Sequence, residues 1–365
     1  MVRAVIIGFA HMHVNEIAEY IMGEESFSLV GFADLPLDEK ENTSARYTRA
    51  WNIKNNSEKY GITPYNDYRK MLDELKPDIA FILCDNKNKP QVVLECAKRK
   101  IDVSIEKPMA VSFEDALKIK EITEKYGIEA IVNWPVIWRP YLHTQIAALE
   151  SGVVGKLIKG FYINGHTGPL GKGAKHRGVS EKAEEMTDDE RKTTWWYKEK
   201  FGGGAFLDIG CYGCFINQWA RDNKSDPALS VTAIAGNYNT PFMDAPDNMA
   251  ALIEYKNSYG VVEGSWTVPQ ASLPTGPVYM CTDGVLYCDE NKNIVAMDSY
   301  GEKINLPEYE ITPHIKNIVD HYAYCKKTGA PFIKTITLDF NLEVMKIIDF
   351  AMKSAKTGEK VKING

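Results

Sequence analysis

Three titratable residues lie in two motifs that could support proton transfer. Lys107 is the centre of a Glu-Lys-Pro segment at 106–108, directly after the apolar run 101–105. Asp208 and Tyr212 are four residues apart in an apolar segment that follows three consecutive glycines. On a helix this spacing places both side chains on one face, so they could contact one substrate. Such groups could move a proton while a hydroxyl is oxidised or a carbonyl is reduced.

A further motif could bind a dinucleotide. It follows the apolar run 2–7 and reads Gly8-Phe9-Ala10-His11-Met12-His13. Gly8 can make the tight turn, and the small Ala10 would let backbone amides approach a pyrophosphate at a helix N-terminus. His13 replaces the third glycine of the usual pattern. The pair His11 and His13 could suggest a metal, but two imidazoles beside a phosphate loop make a poor metal site without a nearby carboxylate or thiolate, so we predict no metal site.

Asp34 indicates which dinucleotide would bind. It ends the second predicted strand, 21 residues after His13. A carboxylate there can accept hydrogen bonds from an adenosine ribose and would repel a 2′-phosphate. We therefore predict NAD rather than NADP, and leave open whether NAD stays tightly bound between turnovers. The alternative is that Asp34 only begins the turn at 34–36.

Alternating strand and helix patterns must position these motifs. In the first 130 residues the predicted strands are 2–7, 29–33, 79–84 and 101–105, with helical patterns between them. This order is typical of a doubly wound parallel sheet. The later predicted strands are 157–163, 231–235, 250–255 and 260–266, and two helices near 314–327 and 338–353 close the chain. The predicted fold is α/β, with a Rossmann domain at 1–130 and an α+β domain at 131–365 whose open sheet is mostly antiparallel.

One charged insert interrupts the second domain at 171–200. It contains fifteen Asp, Glu, Lys and Arg residues and ends in Trp195-Trp196-Tyr197. One interpretation is a solvated excursion whose tryptophans pack into the core. The other is a lid, in which Trp195 and Trp196 would stack on the apolar face of a sugar.

Composition excludes several classes of protein. A length of 365 residues predicts two or three domains at about 150 residues each. The net charge of −6 disfavours nucleic acid and anionic membranes as partners. No apolar run approaches the roughly 18 residues of a membrane span, and no cleavage site follows the first residues, so we predict a cytoplasmic protein. Seven scattered cysteines suit reduced thiols, with structural roles for Cys211 and Cys214.

The three motifs together resemble the glucose-fructose oxidoreductase and inositol dehydrogenase family, Gfo/Idh/MocA. The resemblance spans nearly the whole chain. It implies a nicotinamide between the two domains and a second domain whose open sheet often forms oligomer contacts, so we expect a dimer or larger. Lys107 would be the active-site lysine and Asp208 its acidic companion. The cofactor residues that the motifs imply are Gly8, Phe9, Ala10, His11, Met12, His13, Asp34, Cys84, Asn86, Glu106 and Lys107.

Two departures from the family pattern affect the assignment of roles. Most members resemble D-x-G-x-H at the helix, whereas this chain has Tyr212 where they have histidine. The acid/base role therefore stays open between Tyr212 and Lys107. Many members read T-P-N-x-x-H after the third strand, and here the segment 84–89 keeps only the asparagine, Asn86. We expect the lysine pKa to be lowered beside NAD⁺, and the tyrosine pKa to be lowered by the lysine.

The resemblance also implies a sugar, inositol or related polyol as substrate. The loop, the insert and the tyrosine together resemble bacterial glycoside 3-oxidoreductases, so we predict oxidation of a glucosyl 3-hydroxyl, including that of plant C-glycosides. The predicted substrate contacts are Lys107, Asn133, His166, Trp195, Trp196, Asp208 and Tyr212. The alternatives are a free-sugar or inositol dehydrogenase, a redox-neutral NAD-dependent enzyme that cleaves glycosides, and a catalytically silent NAD-binding regulator.

Overall fold

The apolar runs of the first third of the chain form a five-stranded parallel sheet. The structure is a computed structural model that describes residues 1–268, 276–311 and 313–363. The strands are β1 (Val2–Ile7), β2 (Phe27–Ala33), β3 (Ile79–Ile82), β4 (Asp102–Glu106) and β5 (Ala130–Asn133). The helices around them are α1 (Val14–Met22), α2 (Arg49–Tyr60), α3 (Tyr68–Leu75), α4 (Lys89–Lys98) and α5 (Phe113–Tyr126). The strand order is β2-β1-β3-β4-β5, so the carboxyl ends of all five strands share one edge.

A second sheet follows, with nine strands among the described residues. They are β6 (Leu157–Gly165), β7 (Ala228–Gly236), β8 (Asn248–Tyr255), β9 (Tyr259–Ser265), β10 (Val278–Cys281), β11 (Gly284–Cys288), β12 (Ile294–Asp298), β13 (Lys303–Ile304) and β14 (Val361–Lys362). Their order is β13-β12-β11-β10-β6-β9-β8-β7-β14. Only β6 and β9 pair in parallel among these strands. The predicted fold class, a Rossmann unit followed by a mostly antiparallel sheet, is confirmed.

Helices cover one face of the second sheet. The remaining helices are α6 (Pro140–Glu150), α7 (Asp188–Arg191), α8 (Cys211–Trp219), α9 (Ile318–Thr328) and α10 (Leu338–Thr357). Helix α8 packs on β6 and β9, and α10 packs on β7. On the opposite face Ile234, Leu252 and Met280 are exposed by 67%, 54% and 44%. The second sheet therefore presents an open face with large apolar side chains.

The C-terminal helices also contact the first sheet. Helix α10 packs against α5, and α9 packs against α1. Trp134 Nε1 donates a hydrogen bond of 2.6 Å to Asn341 Oδ1, and both residues are buried. The two sheets therefore share one apolar core. None of the helices in the described part of the chain has the length and apolar character that a membrane crossing requires.

Candidate active site

The loop between β1 and α1 turns on Gly8. Its φ is +93°, and a Cβ atom there would lie 2.3 Å from the backbone nitrogen of Cys84. Glycine is therefore required, both for its conformational freedom and for the close approach of the two backbones. Cys84 is buried and forms the floor of the loop.

The backbone amides of this loop are only partly used within the protein. Four of them donate hydrogen bonds: Gly8 N to Ala33 O at 2.9 Å, Phe9 N to Asp34 Oδ1 at 3.1 Å, His11 N to Leu83 O at 3.1 Å and His13 N to His11 Nδ1 at 3.2 Å. Within the described residues the amides of Ala10 and Met12 donate none. They precede helix α1, whose N-terminus attracts an anion. The loop thus retains two amides that could meet a phosphate.

His11, His13 and Glu106 form a cluster beside this loop. His13 Nδ1 lies 3.0 Å from Glu106 Oε1, and ligand atoms of the three side chains lie within 4.8 Å of one another. The sequence analysis assumed that no carboxylate was near the histidine pair. That assumption is wrong, because the parallel sheet places the end of β4 close to the end of β1 with only β3 between them.

The hydrogen bonds of the cluster favour a proton donor over a metal ligand. His11 Nδ1 accepts the His13 amide, which leaves the ring proton on Nε2. That Nε2 atom is covered and has no partner among the described residues. Burial, with smaller effects from neighbouring cations, lowers the pKa of His11 well below 6.5, so the ring is neutral. A covered N–H group without an acceptor suits a ligand oxygen better than a cation.

Asp34 lies at the end of β2, where the sequence placed it, and is surrounded by donors. Its Oδ1 accepts hydrogen bonds from Leu35 N at 2.9 Å and from Arg49 Nη1 at 3.2 Å, besides the Phe9 amide. The buried Arg49 also faces Glu41 at 3.9 Å and Asp85 at 3.4 Å. Three carboxyl groups thus surround one guanidinium, and burial raises the pKa of both Asp34 and Glu41. The sequence analysis did not find Arg49, because nothing in its local pattern marks it.

Lys107, Asp208 and Tyr212 meet at the carboxyl edge of the parallel sheet. Lys107 Nζ lies 2.5 Å from the Asp208 backbone oxygen, 3.3 Å from Asp208 Oδ1 and 4.8 Å from the centre of the Tyr212 ring. Asp208 belongs to a π-helical turn at Phe206–Gly210, and Tyr212 to the first turn of α8. The sequence-predicted trio is thus brought together around one ammonium group.

Asp208 has two further partners. Trp266 Nε1 donates a hydrogen bond of 2.9 Å to Asp208 Oδ2, and His166 Nε2 lies 3.2 Å from the same oxygen. Although burial alone would raise the pKa of Asp208, Lys107 and these donors together hold it far below 3.8. The carboxylate is therefore ionised and held in place. Trp266 was not found from the sequence, since it lies 58 residues from Asp208.

The pKa values of Lys107 and Tyr212 both lie above their usual range. Burial raises the pKa of Tyr212, and the neighbouring ammonium offsets only part of that effect. For Lys107, burial lowers the pKa, but the facing Tyr212 and Asp208 groups outweigh it and the net shift is upward. The expected lowering of the tyrosine pKa was therefore wrong for the protein without cofactor. Both side chains keep their protons near neutral pH.

The turn after β3 places Asn86 and Lys89 under the site. Lys89 is fully buried, and its Nζ donates hydrogen bonds to Asn86 Oδ1 at 2.6 Å and to the Pro108 oxygen at 2.7 Å. Asn86 Nδ2 in turn donates to the Gly202 oxygen at 2.8 Å. Asn86 thus links the two domains. The sequence analysis noted only that Lys89 is not a histidine and missed this role.

Asn133 is occupied by other parts of the protein. Its Nδ2 donates a hydrogen bond of 3.1 Å to Glu106 Oε2, and its Oδ1 accepts one of 2.9 Å from Trp138 Nε1. The side chain was predicted to contact substrate. In this structure it orients Glu106 instead.

Trp195 and Trp196 lie against the dinucleotide-type loop. Trp195 Nε1 donates a hydrogen bond of 2.9 Å to the Ala10 oxygen, and the Trp196 ring centre lies 4.9 Å from that of His11. Only 4% and 2% of these two side chains are exposed. Both rings are therefore packed inside the protein, as the first of the two interpretations of the insert predicted, and neither ring presents an open face to a sugar.

The insert at 171–200, which we call the strap, crosses back to the first domain. Its contacts there are Arg177 with Glu16 at 3.2 Å, the Glu181 oxygen with Tyr47 Oη at 2.6 Å, Thr193 Oγ1 with Asn42 N at 3.1 Å, and Lys198 with Glu39 at 2.7 Å. Between the end of the strap and Arg49 a cavity of only about 20 Å³ remains. The strap therefore covers the edge of the first sheet that holds Asp34.

The fold and these motifs define an oxidoreductase with an NAD-binding Rossmann domain. Residues 2–134 match a family model described as "Oxidoreductase family, NAD-binding Rossmann fold", and residues 170–286 match the "GFO/IDH/MocA C-terminal domain". The two matches cover more than half of the chain, which therefore belongs to the Gfo/Idh/MocA oxidoreductase family. The resemblance and the expectation of an enzyme are confirmed.

Individual relatives are distant. The scyllo-inositol 2-dehydrogenase (NAD(+)) of Bacillus subtilis (strain 168) is 21% identical over 300 residues, which cover 79% of this chain and 78% of that protein. The aldose-aldose oxidoreductase of Caulobacter crescentus, complexed with glycerol, has 16% identity and a TM-score of 0.74, covering 99% of both chains. The WlbA dehydrogenase of Bordetella pertussis, in complex with NADH and UDP-GlcNAcA, has 16% identity and a TM-score of 0.75, covering 99% of this chain and 98% of its own. These structures establish the shared fold.

Proposed function

We propose that the protein oxidises a secondary hydroxyl of a sugar or glycoside with NAD, with the glucosyl 3-hydroxyl of a glycoside as the preferred position. The product would be a 3-oxo-glycoside. The observation that carries this proposal is the meeting of Lys107, Asp208 and Tyr212 beside the loop of the NAD-binding domain. The inositol, aldose and UDP-sugar names of its relatives support a polyhydroxylated substrate.

The residues around the loop fit a dinucleotide. Because Gly8 has no side chain, the loop can lie close against the backbone of Cys84. The amides of Ala10 and Met12, together with His11 Nε2, are donors without partners that a phosphate could use. Asp34 would accept the ribose hydroxyls, and the carboxylates around Arg49 would repel a 2′-phosphate. Asn86 and Glu106, which lie close to Lys107 in the fold, would complete the cofactor site. We therefore propose NAD as the preferred cofactor.

The charges of Lys107 and Asp208 indicate how the site would promote the reaction. When bound, NAD⁺ would accept the hydrogen of the carbinol carbon together with its electron pair. Lys107, held charged by Asp208, would stabilise the negative charge that develops on the substrate oxygen. Asp208 would keep the lysine oriented, and Tyr212 would donate a hydrogen bond to the substrate. In oxidation the hydroxyl proton would pass to Lys107 or Tyr212 once that group is deprotonated, and in reduction the same group would return the proton to the oxygen.

The strap supports tight retention of the cofactor. The strap tryptophan Trp195 is bonded to Ala10 in the loop, and the strap also contacts Glu16, Tyr47 and Glu39 of the first domain. NAD would therefore leave only after the strap separates from the first domain. Trp195→Phe removes the bond to Ala10 and should speed NAD release, whereas Trp219→Phe on α8 is a matched control. An equal release rate for both variants and the wild type would contradict this part of the proposal.

Space beside Trp266 supports a glycoside rather than a free sugar. A cavity of about 160 Å³ adjoins this residue and is lined by Tyr197, Phe242, Arg191 and Asn239, among others. Aromatic rings with interspersed hydrogen-bonding groups suit a second sugar or aromatic ring. Trp266 also donates a hydrogen bond to Asp208, so one ligand could contact both this cavity and the site around Asp208.

The open face of the second sheet supports self-association. Ile234 on β7, Leu252 on β8 and Met280 on β10 are exposed on it. Covering such side chains is favourable, and identical subunits commonly do so in pairs. We propose a homo-oligomer, dimer or larger, and sedimentation of the purified protein would establish its size.

The proposed function is tested by releasing and identifying the bound nucleotide, then mixing the loaded protein with glycosides, free sugars and inositols. We expect NAD to be recovered and the absorbance of reduced nicotinamide to rise with glycosides. A rise only with free sugars or inositol would favour the alternative dehydrogenase. Release of aglycone without net NADH would favour the redox-neutral glycoside-cleaving enzyme.

A further inference from the structure

We propose that the cavity beside Trp266 binds a second, neutral sugar ring, so that the substrate is a disaccharide. This inference rests on the proposed function and names the group that is attached to the oxidised glucosyl ring. The cavity has a volume of about 160 Å³. An engineered protein cavity of about 150 Å³ holds one benzene molecule. The space therefore suits one six-membered ring.

Three separate segments of the chain form the walls of this cavity. Residues 239, 240 and 242 of the connection between β7 and β8 form one wall, and residues that follow β6 and β9, such as Thr167 and Trp266, form another. The strap contributes Asp188, Arg191 and Tyr197. The strap thus contacts the first domain and also completes a cavity in the second. A ligand in the cavity would contact the same insert that covers the dinucleotide-type loop.

The aromatic rings of the cavity are already packed against other groups. The ring centre of Tyr197 lies 5.4 Å from that of Phe242 and 5.6 Å from that of Trp266. The Arg191 guanidinium lies over Phe242, 4.9 Å from the ring centre. The His166 ring stacks with Trp266, with ring centres 6.4 Å apart. These contacts occupy one face of Phe242 and one face of Trp266, so less ring surface is left on which a flat aromatic group could stack.

The charges of the cavity cancel. Arg191 and Asp188 are the only charged residues among its described lining residues, and they form an ion pair with each other. Their side chains are 27% and 60% exposed, so a ligand can reach both. A sugar hydroxyl can donate to the carboxylate and accept from the guanidinium. An acidic ligand would instead be repelled by Asp188, which favours a neutral one.

Two neutral side chains of the cavity are available for hydrogen bonds. The amide of Asn239 and the hydroxyl of Thr167 are exposed, and neither has a side-chain hydrogen bond within the part of the chain that the structure describes. An amide and a hydroxyl can both donate and accept. A sugar ring carries hydroxyls in several directions that could use these groups, whereas an unsubstituted aromatic ring could use none of them.

The cavity adjoins the proposed reaction site through Trp266 and His166. Trp266 Nε1 donates a hydrogen bond to Asp208 Oδ2, and His166 Nε2 lies 3.2 Å from the same oxygen. Thr167, the next residue in the chain after His166, lines the cavity. One ring of a disaccharide could therefore lie at Asp208 and be oxidised, while the linked ring stays unreacted in the cavity.

The test compares glucose, cellobiose and phenyl glucoside as substrates of the NAD-loaded protein. We expect cellobiose to give the highest kcat/KM. Asn239→Ala should lower the ratio of kcat/KM for cellobiose to that for glucose about three- to tenfold, the usual effect of losing one neutral hydrogen bond. Asn291→Ala, which changes an exposed asparagine between β11 and β12, is the matched control and should leave the ratio unchanged.

A bulky side chain in the cavity tests the same contact without turnover. Asn239→Trp should fill the space and weaken cellobiose binding at least about tenfold, because the second ring no longer fits. Calorimetric titration of NAD-loaded Lys107→Ala protein, with and without Asn239→Trp, would measure this. Equal affinities in the two proteins would overturn the inference, as would a higher kcat/KM for phenyl glucoside than for cellobiose. If the wild-type protein oxidises no sugar or glycoside, the proposed function fails, while the calorimetric comparison still decides whether the sugar subsite exists.

Discussion

Lys89 Nζ donates a hydrogen bond of 2.5 Å to the backbone oxygen of Glu106, at the end of β4. The same ammonium donates to the Pro108 oxygen, so it bonds the residues on both sides of Lys107. Lys89 is fully buried. The backbone position of the proposed active-site lysine thus depends on a second lysine that no substrate needs to touch.

Lys89→Met should destabilise the protein, because it leaves the buried oxygens of Glu106 and Pro108 without their donor. The expected loss in the free energy of unfolding is about 1–3 kcal/mol for buried groups left unsatisfied. Urea unfolding followed by fluorescence would measure it. Lys98→Met changes an exposed lysine on the same helix and should shift stability by no more than about 0.5 kcal/mol. Equal effects of the two changes would contradict the assigned role of Lys89.

Lys107→Ala should lower kcat by about 10²–10³-fold, the usual cost of losing a group that stabilises a developing oxyanion. Bound NAD should remain, since most contacts of the loop do not involve Lys107. Turnover and nucleotide content are measured on the same sample. Lys118→Ala removes an exposed lysine on α5 and is the control. Normal turnover in Lys107→Ala would disprove the proposed chemistry.

Asp34→Ala should shift cofactor preference toward NADP. The change removes one negative charge and frees the Arg49 guanidinium, which could then face a 2′-phosphate. We expect the ratio of NADP to NAD affinity to rise at least about tenfold, equivalent to about 1.4 kcal/mol. Binding of both nucleotides to the emptied protein would show it. Asp38→Ala alters an exposed neighbour as control, and an unchanged ratio in Asp34→Ala would leave Asp34 as a turn residue only.

Docking of the strap should weaken in acid through His176. This residue packs edge-on against Tyr47 of the first domain with ring centres 4.7 Å apart, and burial lowers its pKa to about 4. A freed histidine titrates near about 6.5. Between these pH values the undocked strap binds more protons than the docked one, so the stability of docking falls as pH decreases from about 6.5 to about 4.

Hydrogen exchange of the strap amides and the rate of NAD release across this pH range would measure the effect. His176→Gln keeps a side-chain donor but cannot titrate in this range. It should therefore lose the component of opening that appears between about pH 6.5 and 4. Identical pH dependence in the wild type and the variant would show that another group controls the opening.

The parallel sheet could be predicted because its signals are local. Each apolar run and the helix that follows it lie close together in sequence, and parallel β-α units have few arrangements. Strands β5 and β10 to β14 were not predicted. Helix α6 was missed as well. Short strands are defined by their neighbours in the sheet more than by their own residues.

The residues of the site could likewise be predicted only where their signals are local in sequence. Lys107, Asp208 and Tyr212 could be found because each belongs to a compact motif. The pairing of His13 with Glu106 joins residues 93 positions apart, and no local pattern reveals it. The direction of the Tyr212 pKa shift also depends on burial, which three-dimensional packing determines. Trp195 and Trp196 were recognised as notable, but only the fold shows that they contact the loop.

The strap also has a consequence for the order of events during synthesis on the ribosome. The five parallel strands end at Asn133, whereas the strap reaches Lys198 and contacts residues far earlier in the chain, such as Glu39. Contacts between such distant positions form late in folding. The emerging first domain can therefore meet free NAD before the strap exists, and we expect the cofactor to become trapped only when the later part of the chain closes over it.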